Sequence, residues 1–215
     1  MARRVAFLIG NQTFQPESGF LPLQGPANDI AVLARLLRDP ERGKFEVHEF
    51  LDKTHYEVLP HLEQALGSAA PGDLFLIYYS GHGILARNGH LCLATADADQ
   101  GALRSTSIPA RHLRDLVQES DCDQVVLLLD CCYSGAVDDG LRGDAGSELQ
   151  VVNDAHGFYI MTASTGMQAA REMAPLPDGV VMGRFTATLV EGIETGAADQ
   201  GRKGKIPPCC TDQLG

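Results

Sequence analysis

The chain has 215 residues, of which 44% are hydrophobic and 21% charged, and a formal net charge of −11. That length suits one sizeable domain with a real core. The acidic balance argues against a nucleic-acid binder, which needs a basic face; no apolar run approaches the roughly 20 residues of a membrane span.

Taken in order, residues 4–10 predict a first strand ending at Gly10-Asn11. A loop with Pro16, Gly19 and Pro22 follows, and Pro26 opens a helix with Ile30, Leu33, Ala34 and Leu37 on one face. Phe45, Val47, Glu49 and Leu51 alternate as a second strand, and residues 55–67 carry the apolar stripe Val58, Leu62, Ala65 and Leu66 of a second helix. Asp73-Leu-Phe-Leu-Ile-Tyr-Tyr79 is apolar throughout after Asp73, as expected of a strand buried on both faces. Residues 89–94 suggest a short strand, with acidic turn residues Asp97 and Asp99 behind it. Pro109 starts a helix through Val117 with Leu113 and Leu116 inward, and Val125 to Leu129 is a second doubly buried strand. Residues 157–163 predict one more strand and residues 185–193 a last helix. Strands alternating with helices at this spacing imply an α/β fold on a mostly parallel sheet.

Both doubly buried strands end on chemistry. The first runs into Ser80-Gly81-His82-Gly83 and the second into Asp130-Cys131-Cys132-Tyr133-Ser134-Gly135. In open α/β sheets the carboxyl edge is where ligands gather. A cysteine there is most often a small buried hydrophobe. A histidine between glycines is poorly placed for packing, whereas the glycines let another backbone approach closely. A thiol without a base stays inert, so the histidine is what makes the cysteine a candidate nucleophile. Neighbours on a strand point to opposite faces, so only one of the two thiols can meet His82.

These two motifs, with Leu23-Gln24-Gly25-Pro26-Ala27-Asn28-Asp29 and Met161-Thr162-Ala163-Ser164, carry a resemblance to the caspase-like cysteine peptidases of clan CD (peptidase family C14). The similarity is to the prokaryotic metacaspase or orthocaspase branch and spans roughly residues 4–195. The 50 positions between His82 and Cys132 match the caspase spacing. The resemblance implies a three-layer sandwich, with about six strands in a mostly parallel sheet and helices on both faces. It makes residues 1–195 the peptidase domain, with a flexible activation-type loop at about 136–156, and residues 196–215 a linker or tail.

By the same resemblance Cys132 is the nucleophile, His82 the general base and acid, and the N–H groups of Gly83 and Cys132 the oxyanion hole; Cys131 is left to packing. The resemblance to metacaspases also implies that Asp29 and Asp130 line the primary specificity pocket, with Ser80 near it. Two partly desolvated carboxylates favour a cation, and bidentate pairing favours arginine over lysine. True caspases carry Gln at the position of Asp130, and relatives carry Cys where this chain has Pro26. The competing reading of Asp29 is a charge in the first turn of a helix, where it is stabilising anyway.

Arg142 suits self-cleavage by an arginine-directed peptidase. By the resemblance, Asp97 and Asp99 lie near where metacaspases bind calcium; acidic turns are more often solvated caps, so no cofactor or metal is assigned and calcium activation stays open. Six cysteines with no framework spacing, and no secretory apolar region before the first strand, lead to an expectation of reduced thiols and a cytoplasmic location. Expected partners are protein or peptide substrates with Arg or Lys at the cut, and further domains or regulatory proteins of a stress or immune pathway. The rival from another class is a catalytically silent caspase-fold scaffold in a signalling assembly. A nucleotide-binding doubly wound domain has no support, because Gly10-Asn11-Gln12-Thr13 is no phosphate loop.

Overall fold

A computed structural model describes residues 2–131, 158–163 and 181–196. Five strands form the main sheet in the order β2-β1-β3-β7-β8, every neighbouring pair parallel. They are β1 (Arg4–Gly10), β2 (Glu46–Leu51), β3 (Leu74–Ser80), β7 (Gln124–Asp130) and β8 (Phe158–Thr162). A smaller antiparallel sheet holds β4 (Gly83–Leu85), β5 (Leu91–Ala94) and β6 (Ser107–Pro109). The helices are α1 (Pro26–Arg38), α2 (His55–Gly67), the single turn α3 (Leu103–Thr106), α4 (Ala110–Glu119) and α5 (Arg184–Thr195).

Strand periodicity builds the three layers. Val5, Phe7 and Ile9 face one way and pack with Val58, Leu62 and Leu66 of α2 and Leu113, Leu116 and Val117 of α4. Ala6 and Leu8 face the other way, with Ile30, Leu33 and Leu37 of α1 and with Phe185 and Leu189 of α5. Because β1 is covered on both faces, it reads as one apolar run, whereas the edge strand β2 is only partly buried. Each fully buried leucine contributes about 1.5–3 kcal/mol relative to exposure, so these alternating rows hold the layers together.

The main sheet agrees with the sandwich expected, with five strands among the described residues. The short elements β4, α3 and β6 were not anticipated. Pro109, expected to start a helix, ends β6 and caps α4, which begins at Ala110. Proline is tolerated there because β6 is the edge of its sheet. The 136–156 loop, Arg142, Cys132 and residues 197–215 of the 196–215 tail lie outside the described residues.

Candidate active site

Register brings the site together. Gly10 pairs with Ser80, and Ser80 with Asp130, so the ends of β1, β3 and β7 form one row at the sheet's carboxyl edge. Beyond β3 the chain makes the Gly81-His82-Gly83 turn into β4. Gly81 is required there by crowding: a Cβ would stand 2.5 Å from the Tyr79 hydroxyl and 3.3 Å from the Asn11 carbonyl. That hydroxyl lies 2.8 Å from the His82 carbonyl and 2.7 Å from that of Ala94, and the Ala94 N–H donates to the His82 carbonyl at 2.9 Å. Backbone and phenol therefore fix the segment that carries the imidazole.

The ring itself is held from the long loop after β1. His82 Nε2 is 2.8 Å from the carbonyl oxygen of Leu21. A carbonyl only accepts, so Nε2 carries the proton in the neutral ring and Nδ1 is left with its lone pair. Phe14 and Phe20 flank the ring at centroid distances of 5.3 and 5.5 Å. Sequence reasoning missed Leu21, Phe14 and Phe20. A backbone carbonyl has no residue signature, and the contact joins positions 61 apart.

The two carboxylates expected in a specificity pocket are buried and close together. Asp29, in the first turn of α1, is 1% exposed, and Asp130, the last residue of β7, is 6% exposed. Ser80 Oγ donates to Asp29 Oδ2 at 2.9 Å, and the Gly183 N–H donates to Asp29 Oδ1 at 2.9 Å. Thr186 donates to Asp130 Oδ2 through its hydroxyl at 2.7 Å and its N–H at 3.3 Å. Tyr78 extends the chain, its hydroxyl 2.6 Å from Thr186 Oγ1. A Cβ on Gly183 would collide with the Asp130 carboxylate and stand 3.1 Å from Asp29 Oδ2. Asn28 secures the same segment, its side-chain amide donating to the Val181 carbonyl at 2.8 Å.

Burial pushes the Asp130 carboxyl above the usual carboxylate range, a rise that the Thr186 bonds only partly offset. The start of α5, with its N–H groups and positive dipole end, is what lets two acids sit together here. Gly183 and Thr186 were not foreseen, because they meet Asp29 and Asp130 across more than 50 residues.

The other expectations fall as follows. Gly83 begins β4, opposite Leu93. Cys131 is 1% exposed and belongs to the core on the α2–α4 face, in keeping with a packing role. Pro26 is the buried first residue of α1. Asp97 is engaged by the N–H and Nδ1 of His55, at 3.0 and 2.6 Å, and by the Thr95 hydroxyl at 2.9 Å. Among the described residues no three His, Cys, Asp or Glu side chains cluster in a way that could hold a metal ion. Nor is any described helix long and apolar enough to cross a membrane.

A parallel sheet between helix layers, with an imidazole and a carboxylate pair at its carboxyl edge, defines the class of caspase-like α/β proteins. The chain belongs to the caspase-domain family, peptidase C14, whose model matches residues 3–204. It is 30% identical over 129 residues to human mucosa-associated lymphoid tissue lymphoma translocation protein 1, and equally to the homolog from Mus musculus. That match covers 60% of this chain and 15% of the length of those relatives. Among solved structures, protein GSU0716 from Geobacter sulfurreducens superposes with a TM-score of 0.65 at 19% identity, covering 90% of this chain and 83% of that one. This last likeness is one of fold.

Proposed function

We propose that the chain is a cysteine endopeptidase of the metacaspase or orthocaspase branch that cuts after arginine and, less readily, after lysine. The observation that carries the reading is the His82 imidazole, clamped through Nε2 to the Leu21 carbonyl with Nδ1 facing no such acceptor among the described residues, on the sheet edge that also ends in Asp130. Cys132 follows Asp130 by two residues, as His82 follows Ser80, and Ser80 and Asp130 are register partners. Covalent geometry keeps a residue two positions on within about 7 Å of the strand end.

In this reading His82 Nδ1 takes the Cys132 thiol proton as sulfur attacks the peptide carbonyl carbon. The carbonyl electron pair moves to oxygen, which the N–H groups of Gly83 and Cys132 stabilise. Collapse breaks the C–N bond, and the imidazolium gives its proton to the leaving amine. Water, deprotonated by His82, then cleaves the thioester and restores the thiol.

Asp29 and Asp130, with Ser80, receive the guanidinium of the residue before the cut. Their Ser80, Gly183 and Thr186 bonds hold them aligned when the pocket is empty. Arg142 would be a self-cleavage site by the same specificity. The peptidase domain is residues 1–195, the remainder a linker or tail, and the setting is a cytoplasmic stress or immune pathway.

The test is a peptide panel differing only at the residue before the cut, run with the wild type and Cys132→Ala. Arginine peptides should be cut fastest, lysine next and aspartate hardly at all, with activity down by at least about 10³-fold in the variant. Preference for aspartate would overturn the pocket assignment, and equal turnover by Cys132→Ala would remove the nucleophile. Silence towards every peptide, with and without calcium, would favour the scaffold.

A further inference from the structure

A second concavity lies apart from the residues just described. A cavity of about 330 Å³ opens between the first turns of α2 and α4, with the β4–β5 turn, β5 and the α3–β6 segment as its other walls. Its lining carries two guanidinium groups, Arg104 and Arg111, and three imidazoles, His55, His90 and His112. Among the described residues the one lining carboxylate is Asp115; Asp97 stands against His55. In a chain with 28 acidic and 17 basic residues, that is a concentration of positive and hydrogen-bond-donating groups against the overall charge.

Two features set this cluster apart from the ion-paired surface elsewhere on the chain. Neither Arg104 nor Arg111 has an ion-pair partner among the described residues, although acidic residues outnumber basic ones. In addition, α4 starts with no side-chain cap and no acidic residue in its first turn, and places Arg111 and His112 there instead. Positive charge at a helix N-terminus opposes the dipole, and the first-turn N–H groups need acceptors. An anion in the cavity would satisfy both.

We propose that this cavity binds a small phosphorylated molecule through its phosphoryl oxygens. Arg104 and Arg111 offer the forked donors that match such oxygens, and the first turn of α4 adds backbone N–H groups. The volume is at the lower end of small-molecule sites and larger than one phosphate needs, so the ligand carries a diphosphate or an organic group on its phosphate. Cys92 on the cavity wall pairs with Ile84 of β4 and with Pro109 of β6, and stands two residues before Ala94, whose N–H holds the His82 carbonyl. An occupant would thus brace the hairpin that leads out of His82.

Inorganic pyrophosphate is the probe, with the full chain studied by calorimetry and thermal unfolding. Saturable binding and a rise in Tm are expected, with citrate clearly weaker. Arg104→Gln/Arg111→Gln should weaken pyrophosphate about ten-fold or more while leaving the ligand-free Tm near the wild-type value, since both side chains are exposed. Arg104→Lys/Arg111→Lys should fall between the two, keeping the charge without the fork. No saturable heat at millimolar pyrophosphate, or an equal Tm response in the glutamine variant, would overturn the site. A response matched by sodium chloride at the same ionic strength would do so too. Citrate binding as well as pyrophosphate would overturn the phosphoryl assignment.

Discussion

Asp130 and Thr186 form a pair that would join stability to the proposed specificity. Thr186 satisfies both the Asp130 carboxylate and the Tyr78 hydroxyl, all of them buried. Thr186→Val would leave those groups short of a partner and should cost about 1–3 kcal/mol in denaturant unfolding. It should also blunt the preference for arginine peptides while leaving Cys132 and His82 unchanged. Because burial raises the Asp130 carboxyl, the native state takes up a proton before the unfolded chain does as pH falls. The ionised form weakens the fold above that raised value, and the penalty is lost as pH falls from there to the ordinary carboxylate value. The Tm advantage of Asp130→Asn over the wild type should therefore shrink as pH is lowered into the ordinary carboxylate range; a constant offset would contradict it. The candidate acids, Asp29 and Asp130, were readable in sequence because they sit in motifs. The groups that orient them were not, because Gly183 and Thr186 become partners only once α5 has docked.

At the scale of elements, legibility followed length and burial. The runs in β1, β3 and β7 were visible because both faces of each strand are buried, and the stripes of α1 and α2 because each helix is long enough to show its period. β4 and β6 have three residues each, too few for a period, and depend on β5 for their hydrogen bonds. The start of α2 offers a separate test. The Thr54 N–H and hydroxyl donate to the Glu57 carboxylate at 2.9 and 2.7 Å and hold it down at about 2, with a lesser contribution from Lys53. This support is complete above the ordinary value of 4.5 and is lost as pH falls from there to about 2. Between pH 5 and 2 the wild type should lose more Tm than Glu57→Gln. Parallel curves would show that the cap is not formed in solution.

For the whole molecule, the net charge of −11 acts at distances that no single contact spans. It should draw cationic peptides to the surface, an attraction that salt screens over about 10 Å at 0.1 M. Raising ionic strength from about 0.05 to 0.5 M should raise KM for peptides with several basic residues, with little change in kcat. A KM indifferent to salt would confine recognition to the pocket. The architecture also separates two properties that evolution could tune. The acids that would choose the substrate are rooted in the central sheet and in α1, and braced by α5, so altering the choice means disturbing the core. The imidazole stands on a turn fastened by one phenol, one amide and a loop carbonyl. Loosening those three ties would throttle turnover and leave the taste for arginine intact, making that turn the natural place for a brake.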